Sequence, residues 1–369
     1  PVNGCVTPAL KRGCFYLILR IEEYKKQLIG DLMLSLPVIP DIDSNAAEAA
    51  RLRQLHLTKP TGSLGVLESL SIQVAGISGK TRPDVSRRAV IVMAGDHGVA
   101  MEGVSAYPSE VTPQMVMNFL NGGAAINVLA RQAGARVIIV DIGVKSEFEA
   151  HAGLIQRKVR PGTANMVFGP AMTREEAEEA VQVGIDVAVA EAEQGLDLLA
   201  TGEMGIGNTT PSAAITAVMC GLPVGSVTGR GTGVDDEALA RKVEAIEKAI
   251  AVNRPDPNDA LDVLYKVGGL EIAGLAGVII GAASRRVPVV IDGFISGAAA
   301  LIAVGLCPAV KPYLIASHQS VEIGHMAALK KLGLRAAFIL DLRLCEGSRA
   351  VLAFHVIEAA CRTLNEMAT

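Results

Sequence analysis

Six short apolar runs recur along the chain, at Ala89–Ala94, Arg136–Val140, Leu196–Ala200, Val287–Ile291, Tyr313–Ala316 and Ala336–Leu340, and each ends in polar or glycine-rich residues. Continuous apolar runs of this length, separated by helical patterns, are the signature of parallel strands buried on both faces. The clearest intervening helix is Thr173–Gln194, where Thr173 and Glu176 form a capping box and Gly195 supplies the stop. A second runs from Asp235 to about Val252, with acids in its first turn and Lys248 near its end. Gly122-Gly123 with Asn127 marks the start of another packed helix. The most apolar region, Gly268–Leu306, is broken by Glu271, Arg285, Arg286, Pro288 and Asp292, so it reads as helix, strand and helix, not as a membrane span. The alternation predicts an α/β fold: a doubly wound, mainly parallel six-stranded sheet with helices on both faces.

At 369 residues with half of them apolar, the chain is long enough for one large or two ordinary domains with a sizeable core. A net charge of −4, no basic run longer than a dipeptide and no tryptophan argue against a nucleic-acid partner. The six cysteines, Cys5, Cys14, Cys220, Cys307, Cys345 and Cys361, lie far apart without CxxC spacing. Neither a zinc site nor a disulfide framework is indicated, and a reducing cytoplasm fits best. The chain starts at Pro1, and its first 32 residues read as an extension without a secretory pattern.

In doubly wound sheets ligands bind beyond the carboxyl ends of the strands. The residues after the six runs are Gly95-Asp96-His97-Gly98, Asp141-Ile142-Gly143, Gly202-Glu203, Asp292-Gly293-Phe294, Ser317-His318-Gln319-Ser320 and Asp341-Leu342-Arg343-Leu344-Cys345-Glu346-Gly347-Ser348. Gly205, Gly207, Asn208 and Thr209 open a helix with Pro211 in its first turn, an arrangement whose free amides attract phosphate. Arg230-Gly231-Thr232-Gly233 forms a second cradle of this kind, and Lys242 in the following helix adds a cation. Neither loop matches the Walker pattern or the dinucleotide fingerprint, which points to a phosphate monoester on a sugar. Asp96, His97, His318 and His325 lack the spacing of a metal site, and hydrogen bonds ordering the loops account for them.

The segments Lys59-Pro60-Thr61-Gly62-Ser63-Leu64-Gly65, Ala94-Gly95-Asp96-His97-Gly98-Val99, Gly202-Glu203-Met204-Gly205-Ile206-Gly207-Asn208-Thr209-Thr210, Thr228–Gly233, Asp292-Gly293-Phe294 and Leu340-Asp341-Leu342-Arg343-Leu344 together resemble the nicotinate-nucleotide:dimethylbenzimidazole phosphoribosyltransferase family, from about Met33 onward. The resemblance implies transfer of the 5-phosphoribosyl group of nicotinate mononucleotide to a benzimidazole, with inversion at the anomeric carbon, in assembly of the cobalamin nucleotide loop. It implies Glu346 as general base and Glu203 as a second active-site glutamate. Lys242 would pair with substrate phosphate or carboxylate. Met204 and Leu344 would wall the slot for the planar base, with Ser105 and Gln114 as polar contacts. Asp292 and Ser320 join the phosphoribosyl site, for which His318 and Glu322 are further candidates.

The resemblance implies small-molecule substrates, a homodimer and no cofactor or metal. The domain reading is an extension over 1–32, a helical part of a small domain over 33–84, a large nucleotide-binding domain over 85–312, and a last segment over 313–369. That last segment carries the catalytic loop and completes the small helical domain. The family's glycine-rich Gly-Glu-Gly-Thr-Gly-like loop here runs Cys345-Glu346-Gly347-Ser348-Arg349. Side chains at 345 and 349 would cost about 1 kcal/mol or more wherever φ is positive, and they add bulk beside the base. Two other classes share these residues: a nucleosidase-like hydrolase in which Glu346 activates water, and a catalytically silent binding protein.

Overall fold

A computed structural model describes residues 34–231 and 233–369. The expected N-terminal extension and Thr232 lie outside the described residues. Leu36–Thr369 forms one compact unit.

Six parallel strands make one sheet in the order β3-β2-β1-β4-β5-β6: β1 Arg88–Gly95, β2 Ala135–Gly143, β3 Leu154–Gln156, β4 Leu198–Met204, β5 Val289–Ile291 and β6 Leu314–Ala316. Every residue of β1 is buried, as expected for a central strand covered on both faces. Its side chains alternate. Helix α1 (Ser44–His56) packs at the outside of the molecule, with Ala50 against Ala75 and Leu364. Inside it, Val90, Val92 and Ala94 face a core shared with α2 (Val66–Ser78), α3 (Val111–Leu120), α4 (Ala125–Gln132) and the last helix, α12 (Ser348–Glu366).

The other face is covered by α9 (Leu270–Ser284), whose residues are buried from Leu270 to Ala283. Outside it lies α5 (Arg174–Glu193), capped by the Thr173–Glu176 box. The two helices approach so closely that a Cβ at Gly184 or Gly277 would strike the other backbone. This explains the long apolar stretch, because a helix sandwiched between sheet and helix has no wet side. Helices α6 (Thr209–Cys220), α7 (Asp236–Asn253), α8 (Ala260–Val267), α10 (Phe294–Leu306) and α11 (Ile323–Leu332) complete the layer.

Two strands differ from expectation. Ala336–Leu340 is not a strand: it makes a single parallel bridge, Phe338 to His318, with Ala337 donating to Ser317 O at 2.9 Å. Ile339 and Leu340 are exposed and Asp341 turns at φ +53°, so the ladder stops. The sixth strand is instead Leu154–Gln156 at the opposite edge, three residues too short to show a period. The third run continues to Met204, which places Gly202 and Glu203 inside β4. Gly202 is therefore needed for close approach, not for a turn: a Cβ there would clash with the carbonyl oxygen of Glu346.

Candidate active site

The chain reverses direction across the sheet between β1 and β4, and the crevice beyond their carboxyl ends is where such sheets bind ligands. A cavity of about 390 Å³ lies there, lined by Glu203, Met204, Gly205, Gly207, Thr209, Gly231, Leu344 and Glu346 among others. An adjoining cavity of about 520 Å³ runs along Thr228–Gly231 and Gly233, sharing Tyr107, Gly231, Glu322, Arg343 and Leu344 with the first.

Glu203, the penultimate residue of β4, is buried, with Asn208 Nδ2 donating to its Oε2. Burial, with the Glu271 and Asp292 carboxylates nearby, pushes its pKa up to about 8, against hydrogen bonds from Asn208 and the Cys345 thiol. A pKa raised this far favours the neutral acid at pH 7, where the sequence suggested a carboxylate. Behind it, His97 Nε2 and Glu271 Oε1 pair at 2.8 Å with both side chains fully buried.

Glu346 sits in the loop before α12 with φ +67°, a left-handed conformation held by its surroundings. Its Oε2 accepts from the Ile126 amide at 3.3 Å. Burial raises its pKa above the ordinary carboxylate value, Asp292 adds to the rise, and the Ile126 amide opposes it. Neither Cys345 nor Arg349 has positive φ, so the side chains that replace glycine there carry no backbone strain. Both contribute to the cavity wall.

Asp292, after β5, is placed differently from a ligand contact. Its Oδ1 accepts the amides of Arg349 and Ala350 at 2.8 and 2.9 Å, capping α12 from a distant part of the chain. Ser320 is buried in the adjoining loop; its amide donates to His325 Nδ1 at 2.9 Å, and its Oγ accepts the Glu322 amide at 3.3 Å. Burial drives His325 down to about 3, so the ring is neutral, and lowers His318 as well.

On the far wall Lys242 is buried beneath the glycine loop, donating to Thr209 Oγ1 at 2.7 Å and Gly229 O at 3.2 Å. Burial lowers its pKa to about 8, against the pull of Glu322. The Gly231 amide, the donor a phosphate would use, is taken by Glu322 Oε1 at 2.9 Å. Arg230 turns away, its guanidinium on Val234 O and Asp236. Gly233 continues the loop with φ +97°.

The base-slot residues divide. Met204 and Leu344 line the main cavity with Met115 and Tyr107. Gln114 does not join them: it is exposed and lines a separate groove of about 590 Å³ with Met117 and Phe148. Ser105 Oγ accepts the Tyr107 amide at 3.3 Å. Asp96 Oδ2 accepts the Lys145 amide at 2.8 Å, and no group of three His, Cys, Asp or Glu among the described residues is arranged to hold a metal ion. No helix among them is long and apolar enough to cross a membrane.

Missed at the sequence level were the His97–Glu271 pair, the capping role of Asp292 and the inward guanidinium of Arg349. Glu271 carried one signal, a lone acid in the most apolar stretch.

An all-parallel sheet with two glycine-lined cavities and buried acids beyond its switch point is the arrangement of an α/β enzyme. A family model described as phosphoribosyltransferase matches residues 39–369. The nicotinate-nucleotide–dimethylbenzimidazole phosphoribosyltransferase of Roseiflexus sp. (strain RS-1) is 62% identical over 331 residues, covering 90% of this chain and 94% of that protein. Its counterpart from Geobacter sulfurreducens is 56% identical over 335 residues, 91% and 95% of the two chains. A crystal structure of the Thermus thermophilus enzyme of that name superposes with a TM-score of 0.85 at 47% identity, covering 89% of this chain and 97% of that one. The chain belongs to the nicotinate-nucleotide:dimethylbenzimidazole phosphoribosyltransferase family and is a pentosyltransferase.

Proposed function

We propose that the chain transfers the 5-phosphoribosyl group of nicotinate mononucleotide to 5,6-dimethylbenzimidazole, giving α-ribazole 5′-phosphate and nicotinate. The observation that carries this reading is Glu346: a buried carboxylate with one oxygen fixed by the Ile126 amide, facing an apolar-walled cavity shared with Glu203. The chemistry asks for such a group. The pyridinium nitrogen becomes neutral as its bond to C1′ breaks, so the leaving group needs no acid. One benzimidazole nitrogen attacks C1′ from the opposite face, the other N–H becomes acidic, and Glu346 takes that proton. Its raised pKa matches it better to a base working near neutral pH.

The remaining residues hold the sugar phosphate. Gly205, Gly207 and Thr209 at the start of α6, with Gly231, Gly233 and buried Lys242, receive the phosphate. Glu203, neutral at pH 7, donates to a ribose hydroxyl while Asn208 orients it. In its ionised form, dominant above about pH 8, it favours positive charge developing on the ribosyl ring. Met204 and Leu344 flank the base, Ser320 steadies the Glu322 loop, and Asp292 acts by fixing α12. The helices of 33–84 with α12 act as a smaller domain beside the large one. The enzyme works as a cytoplasmic homodimer.

The test is incubation with nicotinate mononucleotide and 5,6-dimethylbenzimidazole, both products being followed by chromatography. Base-dependent appearance of nicotinate and α-ribazole phosphate supports the transferase. Nicotinate released equally without the base would mean hydrolysis, and ligand-dependent thermal stabilisation without product would mean binding alone.

A further inference from the structure

We infer that Arg349 binds the carboxylate of the departing pyridine and makes the enzyme select the acid over its neutral amide. The inference rests on the transferase reading above and adds a specificity residue to it. Arg349 is the second residue of α12, its amide fixed by Asp292 at 2.8 Å. The residue is 1% exposed and its side chain lines the same cavity as Glu203 and Glu346. Buried there, its Nε and Nη1 have no hydrogen-bond partner, and among the described residues no carboxylate pairs with the guanidinium. The nearby Asp292 carboxylate feels the charge but spends its Oδ1 on the Arg349 and Ala350 amides. Buried guanidinium nitrogens without hydrogen-bond partners are unfavourable, whereas a planar carboxylate would give them two parallel charge-assisted bonds.

A second feature converges on the same place. Nη1 lies against Gly293, the N-cap of the 13-residue helix α10, where a Cβ would clash with it. The positive end of that helix and the guanidinium therefore share one side of the cavity. Ser296 Oγ, in the helix's first turn, and Ser348 Oγ, beside Arg349, are also buried without partners. The two guanidinium nitrogens and these two hydroxyls are groups that can donate to an anion. The substrate carries two anions. The phosphate has Lys242, in α7 on the opposite wall, so the carboxylate is the anion left for Arg349.

The experiment compares nicotinate mononucleotide with nicotinamide mononucleotide, which keeps the phosphate and replaces the carboxylate by an amide. In Arg349→Met, KM for the acid should rise about 10- to 100-fold, with KM for the amide and for dimethylbenzimidazole nearly unchanged. Arg349→Lys, keeping the charge without the fork, should fall between. An equal loss on both nucleotides in a folded variant, or an unchanged ratio, overturns the assignment. If Arg349→Met does not fold, Arg349→Lys decides alone: a reduced acid-to-amide ratio supports the subsite and an unchanged one overturns it. Calorimetric titration of nicotinate and nicotinamide into parent and variants separates the two readings. Selective nicotinate binding that needs Arg349, without turnover in the parent, would keep the subsite and sink the transferase. Turnover in the parent with nicotinate binding indifferent to Arg349 would do the reverse.

Discussion

Gly202→Ala isolates the position of the proposed base from its chemistry. The added Cβ would stand 2.9 Å from the Glu346 carbonyl carbon and 3.1 Å from Val92 Cγ2, and would clash with the Glu346 carbonyl oxygen. Carbon atoms in good contact stand about 3.5–4.0 Å apart, so one backbone must yield by roughly 0.6–1 Å. β4 is held between β1 and β5, so the loop is the part that moves. Overpacking of this size costs about 1–3 kcal/mol and lowers Tm by a few degrees, leaving the fold intact. A catalytic group displaced by about 1 Å loses on the order of 100-fold in rate. The assay is steady-state turnover with nicotinate mononucleotide and dimethylbenzimidazole, beside a melting curve. Expected is a kcat about 100-fold lower with KM for the nucleotide little changed, because neither cradle is touched. A folded variant with kcat within about threefold of the parent would refute the argument that Gly202 sets the place of Glu346.

Other perturbations test the same site. Glu346→Gln keeps the shape and the bond to Ile126 but should lower kcat by about 10²–10⁴; it should also abolish the acid limb of the pH–rate profile, which in the parent rises with pH above the ordinary carboxylate range. Lys242→Met should raise KM for the nucleotide by about 10- to 100-fold, and the parent's KM should rise as pH passes through about 8 while the variant's stays flat. Glu203 has a folded pKa raised to about 8 from 4.5, so its contribution to stability is complete below the unfolded value and lost as pH rises through 8; Tm of Glu203→Gln should decline less between pH 5 and 9. Asp292→Ala removes the acceptor for two buried amides and should cost about 1–2 kcal/mol in a denaturation curve, with a fall in kcat as α12 shifts.

Much of this was legible where local chemistry decides the outcome. The Thr173 box acts within one turn, and the helix expected from Asp235 begins there, with Asp235 as its N-cap. The strand-end rule placed Glu203, near the carboxyl end of β4, on the cavity, whereas Glu346 lines it although the run before it is not a strand. What escaped the sequence was decided by partners distant in the chain. Ala336–Leu340 has the apolar character of a strand, but beyond His318 nothing offers it a ladder. Asp292 looks like any acid at a strand end until α12 arrives 57 residues later to be capped by it. Gln114 lies on the outer side of α3, and α3's orientation is set by Val116 and Phe119 packing into the core. Arg349 reads as an intrusion into a glycine loop, yet the loop's left-handed residues are its neighbours Glu346 and Gly347.

The capping of α12 by Asp292 also orders events in time. All six strands end by Ala316, while the glutamate and its helix begin some thirty residues later, at Glu346 and Ser348. A nascent chain that has delivered the whole sheet to the ribosome exit therefore still lacks the base. It also lacks Val351, Phe354 and Ile357, which α12 contributes to the core. Catalytic competence and the last layer of stability arrive together, so partly synthesised or clipped chains should be both inert and open to proteolysis.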